Sequence, residues 1–164
     1  MARMGTVKGL HQVMLSDEMK TAFPGLNDSN TDPASDATAA YNCIAWAAED
    51  TTRWWWPIPA PPFYWPETAP KAVTVPAFLA VFADLGYNPC DSAGLEAGYE
   101  KVALYVRAGV PTHAARQLST GRWTSKIGQA EDIDHASLDC LEGDNYGGVF
   151  IILRRVAVPL LGPS

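Results

Sequence analysis

The sequence predicts an α+β domain, with a short cysteine-bearing helix packed on a small antiparallel sheet. Three observations carry this. Residues 39–48 are rich in alanine, and Tyr41, Ile44, Ala45 and Ala48 recur at helical spacing, so one side of the helix faces a core. Residues 101–128 run through three alternating segments separated by turn signals, the pattern of a strand meander. At 164 residues, with 48 % hydrophobic and 18 % charged side chains, the chain is sized and composed as one globular domain, 1–164.

Charge and composition exclude several functions. The net charge is −6, and Lys20 and the Arg154–Arg155 pair are isolated, so no basic patch exists to neutralise phosphates and no nucleic-acid partner is expected. No apolar run, that at residues 149–153 included, approaches the roughly 18 residues a membrane span needs, so no membrane partner is expected. Residues 1–20 lack a continuous apolar run and contain Asp17 and Glu18, which argues against a signal peptide. The three cysteines Cys43, Cys90 and Cys140 are odd in number and lack CxxC spacing. That disfavours a disulfide framework or a metal site and points to a reducing cytoplasm. No glycine-rich phosphate loop is present, and no cofactor is expected.

Along the chain, residues 1–36 read as loosely structured turns and coil, with Asp36 or Thr38 available to cap the first helix. A thiol at the start of that helix meets unpaired backbone N–H groups and the positive end of the helix dipole, which favour the thiolate. Cys43 is therefore a candidate nucleophile, and the alternative is a small buried core residue. Trp46, three residues on, shields it as packing or as the floor of a pocket. Residues 51–73 form a loop rich in tryptophan and proline, since prolines 57, 59, 61, 62 and 66 forbid regular structure. Trp54, Trp55 and Trp56 either staple this loop to the core or line a groove for a substrate or partner beside Cys43.

Residues 74–86 are the clearest helix, with Thr74 as cap, Pro76 in the first turn, Gly86 as stop and a stripe of Val75, Phe78, Leu79, Phe82 and Leu85. A connection through Cys90 leads to strands at 101–107, 112–118 and 122–127. His113, Ala115 and Gln117 share one strand face, so Gln117 can orient His113; a structural hydrogen bond is the alternative role for the histidine. Residues 131–135 read as the start of a short acidic helix with His135 at the surface. Residues 143–148 read as a turn, 149–158 as a central apolar strand and 160–164 as a tail.

The segments YNCIAWA (41–47), WWWP (54–57), THAARQL (112–118) and GRWTSKIG (121–128) resemble an uncharacterised family of small bacterial domains. The likeness runs from about residue 41 to 155 and brings no assigned activity. More distantly, KVALYV (101–106) followed by THA (112–114) is similar to the hairpin of NlpC/P60 cysteine peptidases, which have a papain-like fold. That similarity implies a nucleophile at Cys43. It puts His113 at the family's orienting position and Lys101 where the family has its catalytic histidine. A lysine is a poor general base at neutral pH, so either a small register shift lets His113 serve as base or the fold lacks peptidase chemistry.

Two functions follow as expectations. In the first, the chain is a papain-like cysteine hydrolase or acyltransferase. Its Cys43 thiolate attacks an amide or ester carbonyl, His113 is base and then acid, and Gln117, Ser125 or Asp132 completes the set. Trp46, Trp54, Trp55, Trp56, Trp123 and Lys101 are its candidate substrate-binding residues. Peptides, proteins or other acyl compounds are its expected substrates. In the second, a non-catalytic scaffold of the same fold binds a protein or peptide through the tryptophan- and proline-rich loop.

Overall fold

The structure, a computed structural model, describes residues 16–128 and 130–157. It is a mixed α/β chain built on one seven-stranded sheet with few helices. In chain order the elements are α1 (Asp17–Ala22), β1 (Thr31–Ser35), α2 (Cys43–Ala47), α3 (Val75–Asp84), β2 (Asn88–Cys90), β3 (Tyr99–Arg107), β4 (Val110–Gln117), β5 (Trp123–Lys126), β6 (Asp132–His135), a 3₁₀ turn (Leu138–Leu141) and β7 (Gly148–Val156). The strand order is β1-β6-β5-β4-β3-β7-β2, antiparallel throughout. No helix among the described residues is long and apolar enough to cross a membrane.

Alternation along the central strand divides the core. Val102 and Leu104 of β3 enter one cluster, with Ile44 and Ala45 of α2, Phe78 and Phe82 of α3, and Ala114 of β4. Ala103 and Tyr105 enter a second, with Met19, Phe23, Ala115, Trp123, Ile133 and Leu141. Both faces of β3 are thus covered, which is why its sequence is so apolar.

The meander predicted at 101–128 is β3-β4-β5. Its first turn is tighter than expected, with only Ala108 (φ +52°) and Gly109 (φ +81°) between the strands. Pairing jumps from Tyr105–His113 to Val106–Pro111, leaving Thr112 as a bulge immediately before His113.

Several expectations are corrected. The N-terminal segment is not all coil: Ser16 caps α1, and β1 pairs along β6. With Pro33 inside it and mostly exposed side chains, β1 is an edge strand, and such strands carry little apolar signal. Helix α2 is capped by Asn42, not by Asp36 or Thr38, and Cys43 is its first residue. Residues 132–135 form strand β6, not a helix, because Asp132, Ile133, Asp134 and His135 alternate between two sheet faces. The connection after α3 contains the short β2. Strand β7 is paired on both edges, yet it lies one strand from the end of the sheet. A shift between Leu104–Ile151 and Tyr105–Val149 leaves Phe150 out of register and 57 % exposed. The expectations for residues 1–15 and 158–164 lie outside the described residues.

Candidate active site

Cys43 opens α2 because Asn42 stops the extended chain there and accepts the N–H of Ala45 at 3.2 Å. The Asn42 side chain also accepts the Trp55 N–H (3.0 Å) and donates to the Trp55 carbonyl (2.9 Å). One buried amide thereby fixes both the cysteine helix and the tryptophan loop. The loop folds back on itself through Trp56 N–H to Tyr64 O and Tyr64 N–H to Trp54 O.

Opposite Cys43 the sheet opens. Strands β4 and β5 pair only at Arg116–Thr124 and Gln117–Trp123 and then part, while each keeps its other neighbour. Cys43 reaches this gap from the first core and His113 from the second. The N–H groups of Ala114, Ile44 and Cys43 itself face the sulfur. Since Ala114 follows His113 in the chain, the thiol lies close to the backbone that carries His113. No hydrogen bond joins the two side chains.

Burial pushes the Cys43 thiol up to about 11, outweighing the three N–H groups and the Lys126 ammonium that favour its anion. The resting sulfur is therefore a protonated thiol.

His113 is fully buried. Its Nε2 is 2.9 Å from Ser125 Oγ, which is 2.8 Å from Nε2 of the equally buried His135. His135 Nδ1 is 2.9 Å from the Ser137 carbonyl. The proton positions follow in sequence. A carbonyl only accepts, so His135 carries its proton on Nδ1. Burial holds that ring near a pKa of about 4, so it is neutral, and its Nε2 accepts the Ser125 hydroxyl proton. Ser125 Oγ then accepts from His113 Nε2–H. His113 Nδ1 is left as a bare lone pair, buried and without a partner among the described residues. Burial first, and His135 second, hold the His113 pKa well below the usual imidazole range. The Tyr146 ring stacks on His113 (centroids 4.1 Å apart, planes 7° apart), and Tyr105 meets it edge-on at 5.2 Å. Tyr146 is held by Thr112 Oγ1, which donates to its carbonyl at 2.6 Å. It is followed by Gly147, where a Cβ would sit 2.2 Å from the Val106 carbonyl oxygen.

A cleft of about 360 Å³ lies over Cys43, walled by Trp54, Trp56, Ile58, Phe63, Thr112 and Tyr146. Of the predicted binding residues, only Trp54 and Trp56 line it. The Trp55 indole is buried and donates to Asp50 at 2.8 Å. Trp46 stacks on Tyr41 and donates to Thr124 Oγ1 at 3.0 Å. Trp123 fills the second core. Lys101, 1 % exposed, donates to the Ser92 and Gly94 carbonyls and pairs with Glu96 at 3.2 Å, away from the cleft. Gln117 does not orient His113, because its amide donates to the Ala93 carbonyl at 2.8 Å. Asp132 is engaged by Tyr41 Oη (2.5 Å) and Ser35 Oγ, leaving Ser125 as the orienting group among the three weighed.

His135, expected at the surface, is the correction with most consequence. Strand alternation through 132–135 puts it on the same face as Ser125, a relation hidden once the segment is taken for a helix. Tyr146 sits in a glycine-flanked turn and gives no local signal. Among the described residues no three His, Cys, Asp or Glu side chains form a metal-ligand set.

A family model for a domain of unknown function, DUF7689, matches residues 33–154. The chain belongs to this family. The match spans Cys43, His113, Ser125, His135 and Tyr146, so the whole site lies within the DUF7689 domain. Comparison with curated proteins and with solved structures finds no match.

Proposed function

We propose that this domain is a papain-like cysteine hydrolase or acyltransferase acting on amide or ester bonds, with Cys43 as nucleophile and His113 as base. The observation that carries this reading is the bare, buried His113 Nδ1, one residue along β4 from the Ala114 N–H that faces a thiol at a helix start. A merely structural histidine in a dry core would have both nitrogens bonded. Here one is anchored through Ser125 to His135, and the other is left to take a proton.

The Cys43 proton passes to His113 Nδ1 as the sulfur bonds to the acyl carbon, so the ring becomes an imidazolium only during attack. The N–H of Cys43 stabilises the oxyanion of the tetrahedral intermediate. Collapse breaks the bond to the leaving amine or alcohol, which takes the Nδ1 proton and leaves a thioester on Cys43. Water, or an acceptor nucleophile, then gives its proton to Nδ1, attacks the thioester and restores the thiol. The reading requires reduced cysteines, as in a cytoplasm, and all three are free.

The test is intact-mass detection of an acyl adduct after mixing the protein with activated esters, with the modified residue mapped by peptide mass. The expected result is one acyl group on Cys43, with turnover abolished in Cys43→Ala while the circular dichroism spectrum is retained.

One observation favours the second expectation. The apolar walls over Cys43, and a thiol held protonated, also suit a cleft that binds a peptide without chemistry. On that reading Cys43→Ala binds its partner unimpaired, and no adduct forms.

A further inference from the structure

The lining of the cleft states what kind of acyl group it takes. Among the described residues no charged side chain borders it. Three of its polar members are already engaged: Asn42 with Trp55 and Ala45, Thr112 with the carbonyls of Tyr146 and Tyr105, and the Trp54 indole N–H with the Ala39 carbonyl. The nearest buried cation, Lys126, donates to the carbonyls of Thr38, Gly128 and Ala130 and has no donor left to offer. A carboxylate or ammonium entering here would lose its hydration with nothing to replace it. An apolar chain would exchange water for the faces of Trp54, Trp56 and Phe63 and the side of Ile58. At about 360 Å³ the space is at the lower end of ordinary ligand clefts, too large for an acetyl group alone.

We propose that the acyl group transferred to Cys43 is uncharged and apolar, its chain lying in the Trp54–Trp56–Phe63 cleft. This rests on the cysteine hydrolase reading and adds the substrate class. The shared chemistry is an apolar acyl group, whether from a fatty ester or from a peptide ending in an apolar residue.

The experiment is a nitrophenyl ester series on the full chain carrying Cys90→Ser, which removes the other partly exposed thiol. Acetyl, butyryl, hexanoyl and octanoyl esters measure chain length, and a succinyl ester measures the effect of a terminal carboxylate. An N-acetyl-leucine ester separates the peptide source from the fatty one. Each methylene buried in the cleft should raise kcat/KM about fourfold, and the succinyl ester should fall at least a hundredfold below the hexanoyl ester. Ile58→Asp, at a position already 41 % exposed, should remove the chain-length slope.

Equal rates for acetyl, octanoyl and succinyl esters, with Cys43 still acylated, overturn the substrate proposal and leave the hydrolase reading standing. No acylation of Cys43 by any ester overturns both.

Discussion

His113 Nε2 and Ser125 Oγ lie 2.9 Å apart across the gap where β4 and β5 separate. That single contact decides which histidine nitrogen is free. Because Ser125 gives its proton to His135, it takes one from His113, and the unoccupied nitrogen becomes Nδ1, the one nearer the backbone.

Ser125→Ala should therefore act through His113. Removing the acceptor leaves a buried N–H unpaired, at a cost of about 1–3 kcal/mol in unfolding free energy. The imidazole loses its fixed tautomer, and acylation of Cys43 should slow ten- to a hundredfold. Nitrogen NMR of the histidines reports the cause. The wild type should have His113 as the Nε2–H form alone, and Ser125→Ala should give a mixture of tautomers, which a general loss of packing would not produce.

The paired histidines make stability pH-dependent. Both are neutral in the fold, with pKa values below the 6.5 of an unstructured imidazole. Their contribution is complete above pH 6.5 and is lost as the pH falls, because the unfolded chain binds protons that the folded chain refuses. For His135 alone the window runs from 6.5 to about 4, corresponding to about 3 kcal/mol. Denaturant titrations at pH 7 and pH 4 should show at least this loss, and His135→Gln should reduce the slope.

Asn42 ties the nucleophile's helix to the wall of the cleft. Asn42→Ala removes the cap of α2 and strands the buried N–H and carbonyl of Trp55, so it should cost about 2–4 kcal/mol. Limited proteolysis should then cut first within residues 51–73, before the sheet is attacked.

The resting thiol should be sluggish. With its pKa near 11, Cys43 is thiolate in only about one molecule in ten thousand at pH 7. Its alkylation by iodoacetamide in the Cys90→Ser protein should climb about tenfold per pH unit through pH 10. A plateau reached below pH 8 would mean a standing thiolate–imidazolium pair instead of a proton transferred during attack.

Much of this was readable from local pattern. Cys43 at a helix start, the meander, the helix capped by Thr74 and the place of His113 on its second strand all follow from spacing and turn residues. What escaped depended on partners distant in sequence. Residues 131–135 read as the start of a short acidic helix with His135 at the surface until Tyr41, Ser35 and Ser125 are brought to Asp132 and His135 across the sheet. Lys101, expected as a substrate-binding residue, is buried like Lys126, and each donates to backbone carbonyls that lie apart from it in sequence or across a turn. Among the tryptophans nothing local separates the wall residues Trp54 and Trp56 from Trp55 between them. The Trp55–Tyr64 bridge and the Asn42 clamp turn the middle indole inward. The bulge at Thr112, which adjusts the register ahead of His113, is a property of strand pairing that a single strand's sequence does not carry.

The most direct measurement is the single-turnover rate of Cys43 acylation by an activated apolar ester at pH 7, in Cys90→Ser and in the same protein with His113→Asn. A base acting through Nδ1 predicts a loss of about a hundred- to ten-thousandfold, with the unfolding midpoint of the variant recorded to confirm that the fold persists. Acylation of a folded His113→Asn variant at the parent rate would contradict the account, leaving the thiol without a base and the cleft as a binding site alone.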